Sequence, residues 1–364
     1  MNTSSDEVVT FGCRLNASEA ESLRAAAAAG SGEGRWVVVN TCAVTAEAER
    51  QARQVIRRLR REDPTRRIFV TGCASQTRPA QFISMPEVDR IIGNGAKYNS
   101  ASYADGGERV RMSSFEAAAS PEQVTPLLDA RVRAFIKVQD GCDHDCTFCI
   151  IPRGRGPARS VPALDIVERV RAALAAGAVE VVFTGVDITS WGTDLDCGER
   201  FGDLVQQVLV AVPELTRLRL SSLDPAEIDD ALWETIGGEP RLLPHLHFSL
   251  QAGDDLILKR MKRRHTCALA VAVAERARSL RPGIALGADL IAGFPTETDG
   301  AFANTLALVA DCGLTHLHVF PYSARPGTPA ARMPQVSNEV RRARARRLRE
   351  AGQAATIACM AAQV

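Results

Sequence analysis

Val37-Val38-Val39-Asn40-Thr41-Cys42 reads as a short apolar β-strand that ends on a cysteine. Two other stretches end the same way: Val8-Val9-Thr10-Phe11 runs into Gly12-Cys13, and Ile68-Phe69-Val70-Thr71 into Gly72-Cys73. Segments with helical periodicity at 16–29 and 46–61 separate them, an alternation that predicts a parallel sheet covered by helices. The carboxyl ends of parallel strands share one edge, so three cysteines far apart in sequence are expected to meet there, with Gly12 and Gly72 permitting tight turns. Arg90-Ile91-Ile92 is a fourth short strand. Residues 99–130 lose this rhythm and carry Ser, Ala, Gly and the Pro121 to Pro126 segment, a linker composition that places the boundary at 119–130. Beyond them, strand candidates at 134–138, 181–184, 218–221, 246–250, 285–291 and 317–322 alternate with helical stretches at 163–176, 202–211, 268–280 and 301–310. Six such units are too few for an eight-fold barrel and fit an open, partial (β/α)6 barrel with ligands at the strands' carboxyl ends. A polar helix over 338 to about 349 closes the chain. The fold class is therefore α/β, divided as 1–118, 119–130, 131–335 and 336–364.

With 364 residues, of which 46% are hydrophobic and 24% charged, the chain is globular and large enough for two or three domains. Lys and Arg number 44 against 43 Asp and Glu, so nucleic-acid contact must come from local patches rather than from overall charge. No apolar run approaches the roughly 18 residues that span a bilayer, and the first residues are polar and acidic, so a cytoplasmic protein without membrane association is expected. Ten cysteines in a reducing compartment are read, where they cluster, as metal ligands or catalytic thiols.

The tightest cluster is Asp140-Gly141-Cys142-Asp143-His144-Asp145-Cys146-Thr147-Phe148-Cys149, a C-x3-C-x2-C run just after the first barrel strand. Structural zinc takes four protein ligands, whereas a four-iron cluster held by three cysteines leaves one iron open. S-adenosylmethionine can chelate such an iron through its amino and carboxylate groups, so that an electron cleaves the sulfonium and releases a 5′-deoxyadenosyl radical. The alternative, zinc held by the three cysteines and His144, would require the histidine to reach back from inside the short loop.

These residues resemble the radical S-adenosylmethionine signature, including the aromatic Phe148 before the last cysteine. Together with Cys13, Cys42 and Cys73, the chain is similar to the methylthiotransferases over nearly all of residues 7–335. Gly12-Cys13-Arg14-Leu15-Asn16, Asn40 to Thr45, Cys149-Ile150-Ile151-Pro152, Thr184 to Ile188 and His318 to Ser323 look most like the branch acting on N6-threonylcarbamoyladenosine of tRNA. The resemblance implies two four-iron four-sulfur clusters: one on Cys142, Cys146 and Cys149, the catalytic set, and an auxiliary one on Cys13, Cys42 and Cys73, whose strand-end placement alone would leave packing as an alternative. It implies two S-adenosylmethionine molecules per turnover, attack at C2 of the adenine next to the anticodon, and a flavodoxin- or ferredoxin-like electron donor; the sulfur donor is unknown and the protein is taken as a monomer. Close rivals are the same chemistry on isopentenyladenosine or on a ribosomal-protein aspartate, and a distant one is a non-catalytic RNA-binding metal protein. The family's small RNA-binding TRAM domain is not recognisable in this sequence, so either the arginine-rich terminal helix and the first domain are expected to hold the tRNA, or the tRNA is bound weakly.

For S-adenosylmethionine the strand ends offer Thr184 and Gly185, Arg219 with Ser221 and Ser222 for the carboxylate, Gln251, and Tyr322 to stack or cap. His245 with His247, and His316 with His318, each point to one face of a strand; against a metal-binding reading, they are read as core or substrate-lining residues without a catalytic role. Arginines recur at helical spacing in 47–61, including Arg57 and Arg61, and in 338–350, including Arg342 and Arg346; such runs either solvate a helix or meet phosphates. Arg153 and Arg155, beside the cysteine loop, are expected to meet a phosphate or carboxylate near the reacting base.

Overall fold

A computed structural model of the chain describes residues 7–115, 127–129 and 133–361. The chain forms two compact units: Met1–His144 with Ile150–Ala178 and Thr184–Val186, and Asp145–Cys149 with Val179–Phe183 and Asp187–Val364.

In the first unit, β1 (Glu7–Thr10), α1 (Arg14–Ser18), α2 (Ala20–Gly30), β2 (Trp36–Thr41), α3 (Ala46–Glu62), β3 (Arg67–Gly72), α4 (Cys73–Thr77), α5 (Pro79–Ile83), β4 (Arg90–Ile92) and β5 (Val110–Arg111) follow in order. The five strands pair in that order, all parallel. Every residue of β2 is buried, as a central strand covered on both faces requires. Its alternate residues feed two cores. Val37 and Val39 pack with Ile56, Leu59, Phe82, Ile68 and Val70, while Trp36 and Val38 pack with Leu23, Ala27, Phe69 and Tyr103. The α3 helix starts where the Thr45 hydroxyl accepts the Ala48 N–H, and ends in Arg60 and Arg61 against its dipole. The same unit carries the antiparallel hairpin β6 (Leu127–Asp129) and β7 (Arg133–Lys137), the ribbon β8 (Gln139–Asp140) with β9 (Arg159–Ser160), and helices α6 (Ile151–Arg155) and α7 (Ala163–Ala175). The linker expected at 119–130 thus contains a strand at 127–129 and otherwise lies outside the described residues.

In the second unit, β10 (Glu180–Thr184, all but its last residue), α8 (Phe201–Ala211), β11 (Leu218–Leu220), β12 (Ser222–Leu223), α9 (Asp230–Gly238), β13 (His245–Gln251), α10 (Asp255–Met261), α11 (Cys267–Leu280), β14 (Ala285–Ala292), α12 (Asp299–Asp311) and β15 (His316–Pro321) alternate. β10 pairs with β11, and β12 through β15 pair in sequence order, all parallel. The strand expected at 218–221 is broken: β11 stops at Leu220, and Ser222–Leu223 pair instead with β13. Side chains at Asp229, Asp254, Thr266 and Thr298 each accept an N–H three residues on, fixing the starts of α9 to α12. Leu246, Phe248, Leu250, Leu286, Ala288 and Leu290 are buried, and His245, His247, Ser249 and Asp289 occupy the alternate positions of β13 and β14, as His316 and His318 alternate with Leu317 and Val319 on β15.

The last helix, α13 (Asn338–Ala361), is twelve residues longer than its sequence pattern suggested. It packs on β14 and β15 through Arg341, Arg344, Ala345, Leu348 and Gly352. Arg349 donates to the Val319 carbonyl at 2.9 Å, and Arg344 donates to Glu297 at 2.7 Å. Gly352 is the point of closest approach, since a Cβ there would lie 2.9–3.1 Å from three carbons of Leu317. Replacing a helical glycine by leucine gains about 1 kcal/mol in propensity, and overpacking costs about 1–3 kcal/mol. Gly352→Leu is therefore expected to be net destabilising, read as a lower denaturant midpoint for the second unit.

Candidate functional site

The register places the first unit's cysteines together. Thr10 lies opposite Asn40, Asn40 opposite Thr71, and Thr41 opposite Gly72, so Cys42 and Cys73 leave adjacent strands at one level. Cys13 arrives through Gly12, whose φ is +91°; a Cβ at Gly12 would stand 2.5 Å from the Cys42 sulfur. Asn16 fixes this turn by donating to the Phe11 carbonyl at 2.9 Å and the Thr41 carbonyl at 3.1 Å. The Thr41 hydroxyl donates to the Thr71 carbonyl at 2.6 Å and accepts from the Ser75 N–H at 3.2 Å, which seats the helix behind Cys73. Asn94 reaches the Cys73 sulfur at 3.8 Å while donating to the Gly154 carbonyl at 2.6 Å. Burial, and after it the Cys13 and Cys73 sulfurs, push the Cys42 thiol up to about 12. Burial also raises Cys13, against the pull of Arg155. Thiols that oppose one another's ionisation in this way suit a strongly cationic guest, and the missing side chain at Gly12 leaves room beside one sulfur. The donor set therefore fits a metal cluster held by three thiolates.

Beside these thiols lies a charge network in which Glu19, Lys97, Lys137 and Arg155 are buried and Asp140 is partly exposed. Arg155 is buried and donates to Glu19 at 3.0 Å, Asp140 at 2.8 Å and Asn16 at 2.6 Å. Lys97 donates to Glu19 at 2.6 Å, and Lys137 lies 3.7 Å from Glu19 and 3.3 Å from Asp140. Three cations and two carboxylates leave one positive charge in excess. Burial pushes the Glu19 carboxyl up, but Arg155, Lys97 and Lys137 outweigh it and hold it well below the usual carboxylate range. The expectation that Arg155 meets an RNA phosphate is corrected: its guanidinium is consumed by three partners in the interior. Arg153, two residues earlier, is exposed.

The division between the units passes within the C-x3-C-x2-C loop, with Cys142 on the first and Cys146 and Cys149 on the second. In the first, the Cys142 N–H donates to Gly156 at 3.1 Å, and the Cys142 sulfur accepts the His144 N–H at 3.4 Å. Thr184 is buried, and its carbonyl accepts the Val138 N–H at 2.9 Å. Next to Gly185, the Val186 N–H donates to Gln139, which in turn holds the Gly141 carbonyl at 2.9 Å. In the second unit, Thr147 is pinned by Met261 and Arg260, Phe148 meets Phe294 edge-on at 6.4 Å, and Arg263 reaches the Cys146 sulfur at 3.8 Å.

The other proposed cofactor contacts divide. Ser221 and Ser222 are half-buried, and Ser222 donates to Asp289 at 3.4 Å. Gln251 ends β13 with φ of +69°, an uncommon conformation for a side-chain-bearing residue. Arg219 is taken by Glu180 at 2.8 Å, so a carboxylate of its own chain already fills the role expected for a ligand. Tyr322 is buried against Phe294 at 5.5 Å and under the Arg341 guanidinium at 5.1 Å; its ring belongs to the core instead of standing free at the strand end. Arg57, Arg61, Arg342 and Arg346 are all exposed. Sequence reasoning missed Glu19, Lys97, Lys137, Asp140, Asn94 and Arg263. Only Lys137 carried a signal, a charge inside an otherwise apolar strand.

Comparison with known proteins agrees with this arrangement. The radical SAM superfamily matches residues 136–309, and the uncharacterized protein family UPF0004 matches residues 7–93. The threonylcarbamoyladenosine tRNA methylthiotransferase MtaB of Rickettsia prowazekii is 48% identical over 96% of this chain and 83% of its own length. The chain belongs to the tRNA methylthiotransferases of the radical SAM superfamily. The tRNA-2-methylthio-N(6)-dimethylallyladenosine synthase of Novosphingobium aromaticivorans is 36% identical over 90% of this chain and 76% of its own. Among solved structures, the radical S-adenosylmethionine methyltransferase TsrM of Kitasatospora setae superposes with a TM-score of 0.60 at 14% identity, covering 90% of this chain and 77% of its own, which shows the shared fold. The α/β class expected from the sequence, a parallel-sheet amino-terminal domain followed by a radical SAM domain, is the one found.

In this methylthiotransferase the buried network sets an acid limit. The Glu19 carboxyl is depressed in the folded chain, so its contribution is complete above its unfolded value of 4.5 and is lost as pH falls below that value. Glu19→Gln leaves three buried cations facing one carboxylate, at a cost of about 3–5 kcal/mol. Urea unfolding is expected to show this loss at pH 7, with the gap from the parent narrowing at pH 4 and below.

Proposed function

We propose that this chain converts N6-threonylcarbamoyladenosine to its 2-methylthio derivative in tRNA, next to the anticodon. The observation that carries the reading is the presence in one chain of two three-cysteine sets: one at the ends of β1, β2 and β3, the other the C-x3-C-x2-C loop. The choice of base rests on relatedness, since identity to the Rickettsia enzyme named for threonylcarbamoyladenosine, 48%, exceeds the 36% to the dimethylallyladenosine synthase.

Cys13, Cys42 and Cys73 hold the auxiliary four-iron four-sulfur cluster, and Cys142, Cys146 and Cys149 the one that meets S-adenosylmethionine. When bound, these groups supply the radical that acts at adenine C2 and the sulfur and methyl that are transferred. The chain's own residues set their surroundings. The positive excess on Arg155, Lys97 and Lys137 balances thiolate charge beside the auxiliary site, and Asn94 and Arg263 orient one sulfur in each set. The backbone of Thr184 and Gly185, braced by Gln139, faces the methionine amino group; Ser221, Ser222 and Gln251 line the remaining strand ends. Arg57, Arg61, Arg153, Arg342 and Arg346 meet tRNA phosphates. The protein works in the cytoplasm as a monomer with a flavodoxin- or ferredoxin-like reductant. Among the described residues no helix is long and apolar enough to cross a membrane.

Nucleoside mass spectrometry of tRNA from a deletion strain tests the substrate. Loss of the 2-methylthio-threonylcarbamoyl nucleoside, restored by the gene and not by its Cys13→Ala or Cys149→Ala variants, is expected; an unchanged profile, or loss of the isopentenyl derivative, removes this assignment. Anaerobically prepared protein should carry about eight irons per chain, and Cys42→Ala about four. The double change Arg342→Gln with Arg346→Gln should weaken tRNA binding and flatten its log–log salt dependence by about 2, because two phosphate contacts vanish.

A further inference from the structure

Three parallel strands of the second unit bring two histidines and one carboxylate to a single point on the face opposite their apolar side chains. Asp289 of β14 lies opposite His318 of β15 in the register, and His247 of β13 stands beside Gly287, two residues before Asp289. One oxygen of Asp289, Oδ1, is 3.0 Å from His247 Nε2 and 3.2 Å from His318 Nδ1, and the three atoms lie within 4.8 Å of one another. The two imidazole rings are 4.6 Å apart. Two ligands bound to zinc at about 2.0–2.1 Å subtend about 3.3 Å across a tetrahedral edge; the two nitrogen–oxygen separations are already close to that value.

The surroundings hold these side chains in place. The second oxygen of Asp289 accepts from the Ser222 hydroxyl at 3.4 Å, the kind of outer contact that orients a metal-bound carboxylate. A Cβ on Gly287 would lie 2.7 Å from His247 Nδ1, so the glycine leaves space for the imidazole. His247 and Asp289 are largely covered, whereas the His318 side chain is 55% exposed, leaving an approach for an ion.

The geometry points to a divalent transition-metal site formed by His247, Asp289 and His318, of the zinc class, separate from the six cluster cysteines. Two imidazoles and a carboxylate match zinc and its neighbours in preference to calcium or magnesium, and three protein ligands leave a position for water or another oxygen donor.

Anaerobically reconstituted holoenzyme, cleared of loose ions by a chelator, is titrated with zinc by calorimetry, and the X-ray absorption of the bound zinc is recorded. The expected result is one zinc per chain, with nitrogen and oxygen at about 2.0–2.1 Å and no sulfur shell near 2.3 Å. His318→Ala, at an exposed position, and Asp289→Asn should each weaken binding at least tenfold while iron content and thermal unfolding stay at parent values. Should Asp289→Asn fail to fold, His318→Ala alone decides. Absence of stoichiometric zinc, a sulfur shell, or parent affinity in a folded variant overturns the site.

Discussion

Glu19 has no contact with water, and three cations depend on it. An isolated buried charge is costly enough that the chain can place Arg155, Lys97 and Lys137 in the first unit only by bringing Glu19 and Asp140 to meet them. That constraint ties distant pieces of sequence together: the start of α2, the segment after β4, the hairpin strand β7, the ribbon strand β8 and the last turn of α6. Asn16, one turn before Glu19, shares Arg155 and also clamps the turn that delivers Cys13. The electrostatics and the cysteine geometry are therefore one construction. A change that loosens the ion network also moves the turn holding a thiol.

The strand-end cysteines were legible because a parallel sheet turns sequence order into spatial adjacency. Once three apolar runs each ended on a cysteine, topology alone required them to meet at one edge. The helices at 46–61, 163–176 and 268–280 were legible for a similar reason, since periodicity reports which face is buried. Features that depend on a partner elsewhere in the chain were not. The helices α9 and α10 are short, and their apolar positions are too few to show a period. The break after Leu220 comes from Ser222 pairing with His247, a contact invisible in either segment. Arg155, Arg219 and Tyr322 were assigned by their place at loop or strand ends; position along a strand says nothing about whether Glu19, Glu180 or Arg341 is waiting there.

The two histidine pairs show what alternation can and cannot reveal. Spacing of two put each pair on one face, which holds in the structure. It could not show that Asp289, on the strand between them, faces the same way, because a single aspartate in an apolar strand has no period. Register supplies that information: Asp289 stands opposite His318 and one alternate position beyond Gly287, the partner of His247. The carboxylate then becomes the shared acceptor that draws two rings together.

The arginine-rich helices set a different limit. By composition 47–61 and 338–350 each carry six arginines and two glutamates, a local excess of four. On α13, Arg341 and Arg344 turn inward to Tyr322 and Glu297, leaving Arg342, Arg346, Arg347 and Arg349 against exposed Glu339 and Glu350. On α3, Arg50 pairs with Glu47 at 2.5 Å, Arg58 with Glu62 at 3.6 Å, and Arg60 is held by Asp89 and nearby carbonyls. The outward excess is thus about half of what composition suggests. Phosphate binding responds to the charge a surface can present, since buried guanidinium groups release no counterions from RNA. The inward and paired arginines therefore serve the fold, and only the remaining charge is available to a nucleic acid.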